Sequence, residues 1–413
     1  MVDVRSHPSL RAQPRSVRTL LLSGLCAAAM STGASARSSA QTPAGPPSLA
    51  LGFAVDTTAL PAAWWGVDSA RVVLPEVVRF WRDYLAIRRD SSQRRAHWER
   101  SGNTGDPDPL PAVAPYLLDG APLLIEALPV VAGDASRWLL RTMYVGGGTA
   151  TRPGLLGLER TIVTGRRGGD GVWEWKLASP ESFETAEWRH ERIGPVTYVV
   201  HPGISFDRRR AESTARWADS LLVRFALERR EPVTYYQTPN LQEGMRISGF
   251  EWLLSADRVG GRASPAAGVV VAADPRYGEG YRHELAHILL APLVTGRSVF
   301  VVEGIAYWLG GARGDDFPGL MRSLASFLAD HPTFTLDTIL ASDGSGAIGS
   351  ARLPVAASLF ELVHRRGGDQ AVRRLMEALG TAEPTLARLA TIMGMSRERI
   401  VTEWRALLVE YRR

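Results

Sequence analysis

The residues His283-Glu284-Leu285-Ala286-His287 have the types and the spacing of a site that binds a metal ion and hydrolyses an amide bond. Two histidines four positions apart lie on one face of a helix, so both rings can bind the same ion. Glu284 is rotated by about a quarter turn from His283. This places its carboxylate beside the ion, as a base for water and not as a ligand. Zinc in such a site lowers the pKa of bound water to about 7. The motif predicts zinc-dependent hydrolysis of a peptide.

The alternative interpretation of this motif is a solvated helix face that carries two histidines and a glutamate. The residues that follow argue against it, because Ile288, Leu289 and Leu290 are apolar and indicate a buried helix. In a buried helix, two histidines and a carboxylate without partners would lose their hydration uncompensated. Coordination of a metal ion compensates all three groups.

A catalytic zinc usually has three protein ligands, and the candidate for the third is Glu303, sixteen positions after the second histidine. It lies in an apolar stretch with mixed helical spacing, where a carboxylate needs a partner. Gly304 and Ala306 should let this second helix approach the first closely, and Gly310-Gly311 predicts its end. The alternative is an ion pair between Glu303 and Arg297.

The two motifs together resemble those of the gluzincin metallopeptidases. H-E-L-A-H followed by V-E-G-I-A-Y-W at 302–308 is most similar to the compact, peptidase-MA-like branch, with its E-G-x-A-x-[YW] second motif. The resemblance covers roughly residues 190–413, strongly at the two motifs and weakly elsewhere. It implies that His283, His287 and Glu303 are zinc ligands and that Glu284 is the general base.

One position departs from the family pattern. Members often carry a tyrosine before the third helix, where its hydroxyl can stabilise the oxyanion, and this chain has Leu353 there. Such stabilisation typically lowers a barrier by a few kcal/mol. Tyr277, Tyr281, Tyr307 and His364 are alternative donors, and each can equally have a structural role.

The resemblance also bears on the type of peptidase. Aminopeptidases of the broader clan carry a Gly-x-Met-Glu-Asn segment that binds the free amine of the substrate. Residues 267–274 lack it, which favours an endopeptidase. The competing hypothesis is a zinc-stabilised binding or scaffold protein that has lost catalysis, although a purely structural site would not need Glu284.

The first forty residues predict export. They contain five of the 48 basic residues and one of the 43 acidic residues, so the remainder is nearly neutral and a nucleic-acid partner loses its support. An arginine-bearing start, an apolar run over 19–30 and small residues at 34–36 or 38–40 are typical of a signal peptide. An uncleaved anchor and a lipidated Cys26 are the alternatives. No later segment reaches eighteen uninterrupted apolar residues, so we expect a secreted or periplasmic enzyme whose mature chain contains no cysteine.

Four regions follow from these patterns: a signal peptide and cleavage region at 1–40, a linker at 41–49, an N-terminal α+β domain at 50–185, and a gluzincin-like domain at 186–413. The first domain has one helix and four strands, an arrangement compatible with an NTF2-like domain, and no cluster of chemical groups. The second predicts a small mixed sheet and a zincin helix bundle with a mostly helical C-terminal part. Residues 268–273 form either an edge strand that binds substrate or an interior strand. The predicted elements are strands near 121–131, 136–146, 155–164, 171–178, 196–200 and 233–236, and helices at 72–87, 211–227, 318–329, 354–366, 369–379, 384–393 and 397–411.

Overall fold

A computed structural model describes residues 68–99, 108–131, 134–149, 152–228, 231–254, 260–294, 298–312, 314–379 and 384–412. The predicted signal peptide, the linker and the start of the N-terminal domain lie outside these residues. The described chain is mixed α+β, with two sheets and a helical C-terminal part. This confirms the predicted α+β class.

The N-terminal half is built from one long helix on an antiparallel sheet. Its elements are α1 (Asp68–Ile87), α2 (Ser91–Arg94), α3 (Leu110–Val113), β1 (Ala121–Pro129), β2 (Arg137–Thr149), β3 (Arg152–Arg167), β4 (Trp173–Ala178) and α4 (Pro180–Glu184). The strands lie in the order β1-β2-β3-β4, each antiparallel to its neighbour. All four strands and the helix were predicted from the sequence.

The alternation of buried and more exposed side chains along β2 shows which face of this sheet is covered. Trp138 and Leu140 are buried, with intervening residues more exposed, and Trp138 pairs across the ladder with Val163. Side chains two residues apart share a face of a strand. These side chains pack with Val77 and Trp81 of α1, so the helix covers this face.

A buried ion network ties the end of α1 to the sheet. Arg88 donates to Asp108 from Nε at 2.6 Å and from Nη2 at 2.7 Å, and to Glu159 from Nη1 at 2.8 Å. The hydroxyls of Tyr84 and Tyr144 donate to the same two carboxylates at 2.6 and 2.7 Å. Burial alone would raise the pKa of Asp108, but the charge and hydrogen bonds of Arg88 outweigh burial and lower it. The network therefore keeps its charges inside the core with direct partners.

The C-terminal half begins with a second, mixed sheet. Its strands are β5 (Arg189–Ile193), β6 (Val196–Val200), β7 (Val233–Gln237), β9 (Gly261–Ser264) and β10 (Val269–Ala272), with α5 (Arg208–Arg224) and α6 (Leu241–Ile247) between them. The order is β5-β6-β7-β10-β9, where β6, β7 and β10 are parallel and the two outer strands are antiparallel to them. Residues 268–273 are therefore interior, and β9 occupies the edge.

One short strand, β8 (Phe250–Leu253), belongs to the second half in sequence but to the first sheet in space, where it pairs with β3. An ion pair between Arg160 of β3 and Glu251 of β8 at 3.5 Å lies at the same junction. Arg141 of β2 also binds Glu251 of β8 at 2.7 Å. The predicted boundary near residue 185 is thus crossed by a strand and by ion pairs.

Helices complete the chain after the second sheet. They are α7 (Arg282–Leu290), α8 (Val299–Gly310), α9 (Phe317–Asp330), α10 (Leu336–Leu340), α11 (Gly346–Ser350), α12 (Arg352–Leu379), α13 (Leu386–Met393) and α14 (Arg397–Tyr411), and 3-10 turns lie at Arg95–His97, Pro115–Asp119 and Gly278–Gly280. Within α12, Gly368 has φ of 63° and breaks the helix. This agrees with the prediction of separate helices at 354–366 and 369–379.

Among the described residues, one stretch, Gly346–Leu379, is long and apolar enough to cross a membrane. Its most apolar window is 56% buried inside the protein, and Val355, Leu359 and Phe360 belong to the main hydrophobic core. A helix in the core of a soluble protein can have the same length and composition. The stretch is therefore weak evidence for a membrane span.

Candidate metal centre

The first metal motif lies on a helix that is buried in the main core. Leu285, Ala286, Ile288 and Leu289 of α7 are at most 2% exposed and pack with residues of the second sheet and of α8. This confirms the buried helix that the apolar flanks predict. The two histidines of the motif therefore lie on a helix that is packed into the core.

Glycines bring the second motif close to the first. A Cβ on Gly310 would lie 2.4 Å from the backbone nitrogen of His283, so the end of α8 touches the start of α7 at backbone distance. Gly304, in contrast, faces Ala356 and Phe360 of α12, where a Cβ would meet the Ala356 Cβ at 2.7 Å. The prediction that Gly304 brings α8 close to α7 was wrong, because that glycine points to the opposite neighbour. The helix ends at Gly310, as predicted, and Gly311 has φ of 74°.

The structure brings together the nitrogens of His283 and His287 and the carboxylate of Glu303. The two Nε2 atoms are 3.1 Å apart. The Glu303 carboxylate oxygens lie 3.4 Å from Nε2 of His283 and 3.7 Å from Nε2 of His287. Among the described residues, these three form the one group of His, Cys, Asp or Glu side chains that could hold a metal ion. The alternative partner of Glu303, Arg297, lies outside the described residues.

The orientation of the His283 ring is fixed by the backbone. Its Nδ1 lies 2.8 Å from the carbonyl oxygen of Gly311, so the Nδ1–H group donates to that carbonyl. A neutral imidazole in this tautomer has its lone pair on Nε2, which is the atom that faces the cluster. Histidine ligands of metal ions commonly have such a backbone or carboxylate partner on the second nitrogen.

The spacing of the three groups fits a tetrahedral zinc ion. Bonds of about 2.0–2.2 Å to nitrogen and oxygen place tetrahedral ligand atoms about 3.3–3.5 Å apart. The separations of 3.1, 3.4 and 3.7 Å bracket this value. The side chains of His283 and His287 are 8% and 10% exposed and that of Glu303 is 31% exposed, so one side of the cluster reaches solvent. Two imidazoles, one carboxylate and an open side are the donor set of a catalytic zinc site.

The charges within the cluster shift the pKa values of its members. Burial would lower the pKa of His283, but the hydrogen bond to Glu303 and nearby negative charge raise it. Burial would raise the pKa of Glu303, but the hydrogen bond to His283 and the charges of the two rings lower it. Burial lowers the pKa of His287. The ionised carboxylate and the neutral His287 are the forms that bind a metal ion.

Glu284 lies beside the cluster and outside it. Its side chain is buried, with a residue exposure of 8%. Burial and the adjacent charge of Glu284 raise the pKa of Tyr281, so this hydroxyl keeps its proton and can donate. Glu284 follows His283 directly on α7 and is not among the three converging groups.

The other groups considered as oxyanion donors have different surroundings. Tyr277 stacks on Tyr281, and the Tyr307 ring centre is 5.3 Å from that of His283. His364 lies 3.2 Å from Asp369, in a separate cluster. Leu353 is the second residue of α12 and carries no donor on its side chain. None of these groups has a contact that identifies the oxyanion donor.

Glu279 has a structural contact near the start of α7. Its carboxylate is buried and accepts hydrogen bonds from the backbone nitrogen of Asp207 at 2.8 Å and from Gln237 at 3.2 Å. It therefore anchors the 3-10 turn before α7 to β7 and to the start of α5. The sequence carried no signal for this contact beyond the position of Glu279 before the metal motif.

No protein-family model matches this chain, and no curated protein sequence matches it.

Proposed function

We propose that this chain is a zinc-dependent peptidase of gluzincin type, with His283, His287 and Glu303 as the zinc ligands. The observation that carries the proposal is the convergence of two Nε2 atoms and one carboxylate at separations of 3.1–3.7 Å. A buried glutamate lies next to them on the same helix. The helix pair α7 and α8 against a mixed sheet is compatible with a zincin fold.

The reaction follows from the surroundings of each group. A bound zinc ion would supply Lewis-acid polarisation of the substrate carbonyl. Glu284 accepts a proton from the attacking water on its carboxylate and delivers it to the leaving amine. General acid–base catalysis of this kind contributes about 10²–10⁴-fold in rate.

The substrate and the location of the enzyme are part of the same proposal. We propose hydrolysis of internal peptide bonds, because residues 267–274 lack the Gly-x-Met-Glu-Asn segment with which aminopeptidases of the broader clan bind a free amine. The signal-like first forty residues favour a secreted or periplasmic enzyme. The N-terminal half, one helix on a four-stranded antiparallel sheet, is compatible with an NTF2-like domain.

Cleavage of an internally quenched peptide library by the purified chain tests the proposal. We expect cleavage with one zinc per chain, loss of cleavage after chelation and recovery when zinc is added. His287→Ala should bind no zinc and cut no peptide, whereas His190→Ala, a change of an exposed histidine on β5, should leave both unchanged. A chelator that lowers the melting temperature while no peptide is ever cut would instead favour a zinc-stabilised scaffold protein.

A further inference from the structure

Two arginines between α5 and the metal helix have no acidic partner. Arg210 lies in the first turn of α5, and Arg282 is the first residue of α7. Among the described residues, neither forms an ion pair, whereas Arg208 in the same turn of α5 binds Glu191 at 3.1 Å. The buried Glu279 carboxylate accepts its hydrogen bonds from other groups and pairs with neither arginine. The two positive charges are therefore not compensated by a carboxylate of the described chain.

The guanidinium group of Arg282 is held against α5. Its central carbon lies 5.5 Å from the ring centre of Trp217, which is within the range of a cation–π interaction. Its Nη2 atom lies 3.4 Å from the hydroxyl oxygen of Ser213. Arg282 and Trp217 are both partly buried. Two side chains of α5 therefore fix the position of this charge, and neither of them is negative.

The guanidinium group of Arg210 is held over the turn that leads into α7. Its Nη2 donates to the carbonyl oxygen of Arg276 at 3.1 Å. A Cβ on Gly278 would lie 2.8 Å from Nη1 of Arg210, and a Cβ on Gly280 would lie 3.0 Å from its Nε. Two glycines therefore let this guanidinium group lie directly on the backbone, two residues before Arg282.

The two guanidinium groups lie along one face of α5. Arg210, Ser213 and Trp217 have the i, i+3 and i+7 spacing of a single helix face, and Arg282 contacts the latter two. Burial, and after it the charge of Arg210, lowers the pKa of Arg282. Both arginines also lie in the first turn of a helix, where the macrodipole makes a positive charge unfavourable. An anion bound between them would relieve both the repulsion and the unfavourable placement.

We propose that Arg210 and Arg282 form a binding site for an oxyanion, which is a phosphate or a carboxylate group of the ligand. A guanidinium group presents its N–H donors in a planar fork that matches either oxyanion. The hydroxyl of Ser213 adds a neutral donor beside them. The site is distinct from the metal cluster, because the Arg282 side chain contacts α5 whereas the His283 ring contacts Glu303 of α8. It does not depend on the proposed peptidase function.

Calorimetric titration of the full chain with inorganic phosphate, at an ionic strength held constant with sodium chloride, tests the proposal. We expect saturable binding to the wild type. The dissociation constant should rise about tenfold or more in Arg210→Gln and in Arg282→Gln, because each variant loses a charge-assisted hydrogen bond. The matched control is Arg216→Gln, which removes an exposed arginine of α5 that has no ion pair among the described residues. Its affinity should stay within about twofold, since salt screens distant charges.

The proposal is overturned if the wild type shows no saturable binding of phosphate or of succinate. It is also overturned if Arg210→Gln and Arg282→Gln both bind phosphate as tightly as Arg216→Gln. Titration with succinate, a dicarboxylate, identifies the oxyanion, because the group that binds more tightly is the one that the ligand carries.

A titration of His287→Ala locates the bound anion. Phosphate should bind this variant as tightly as the wild type, because the metal cluster is not part of the site. Loss of phosphate binding in His287→Ala would instead place the anion on a metal ion and refute the proposal. A chain that binds phosphate at the two arginines but cuts no peptide would refute only the peptidase proposal, so the two failures are distinguishable.

Discussion

At the scale of single residues, two clusters of ionisable groups differ in how their charges are satisfied. Arg88, Asp108 and Glu159 satisfy one another through short, direct hydrogen bonds. In the other cluster, His283 and His287 place two ring nitrogens 3.1 Å apart next to a carboxylate. Only a proton or a cation between such acceptors relieves their repulsion. The first cluster is complete by itself, and the second is arranged for a positive ligand.

The buried network of the N-terminal half predicts a large effect of one uncharged substitution. Asp108→Asn leaves Arg88 buried with half of its ionic partners lost, and removing one member of a buried pair typically costs about 3–5 kcal/mol. Urea unfolding at pH 7 measures the change in the free energy of unfolding. The matched control is Asp119→Asn, because the Arg89–Asp119 pair is 65% and 79% exposed and such pairs contribute about 0–1 kcal/mol.

The same carboxylate predicts how stability depends on pH. The pKa of Asp108 is lower in the folded than in the unfolded chain, where it is about 3.9. Its contribution is therefore present above pH 4 or so and is lost as the pH falls toward the folded pKa. The wild type should lose stability on acidification below about pH 4 more steeply than Asp108→Asn. Equal acid sensitivity of the two proteins would contradict this role.

At the scale of elements, the geometry of the candidate metal centre depends on the contact between the end of α8 and the start of α7. Gly310→Ala would force a methyl group to within 2.4 Å of the His283 backbone nitrogen, so one helix must move. We expect a loss of about 1–3 kcal/mol in stability and weaker zinc binding, because Glu303 on α8 shifts relative to His283 on α7.

The matched control for this substitution is Gly169→Ala, in a turn where an added Cβ meets nothing within 4 Å. Urea unfolding and zinc titration of both variants measure the difference. If Gly310→Ala has the stability and the zinc affinity of Gly169→Ala, the helix contact is not what sets the spacing of the ligands.

The elements that were predicted well from the sequence are those that are long enough to show a periodic pattern of apolar residues or that begin at a clear helix N-cap. Burial alternates along 137–144 of β2, and α9, α13 and α14 have an N-cap hydrogen bond at Asp316, Thr385 and Ser396. The short strands β8 and β9, with four residues each, are too brief for a periodic signal. Since β9 was not predicted, the position of β10 as an edge or an interior strand could not be decided from the sequence.

The site was predictable where the spacing along one helix determined it. His283, Glu284 and His287 share α7, so their relative positions follow from helix geometry. The approach of Glu303 depends on which glycine meets which helix, and that is a tertiary property. The stacking of Tyr277 on Tyr281 before the metal motif depends on Gly260 and Gly261. These glycines lie at the start of β9, which was not predicted as a strand.

At the scale of the whole molecule, the two halves are physically linked although the candidate chemistry lies in one of them. Strand β8, from the second half, pairs with β3 of the first sheet, and Arg141 pairs with Glu251 across the junction. The candidate metal centre is built on α7 and α8, which pack in the main core of the second half. The N-terminal half is therefore fixed next to the C-terminal half through strand pairing and ion pairs.

In the proposed function, Glu284 acts as the base of a zinc peptidase. The most direct measurement is kcat of Glu284→Gln at one bound zinc per chain, beside Glu377→Gln, an exposed glutamate of α12, as the matched control. We predict that Glu284→Gln retains its zinc and loses at least about 100-fold in kcat, while Glu377→Gln cuts peptide at the wild-type rate. Zinc-loaded Glu284→Gln with undiminished peptide cleavage would contradict the claim.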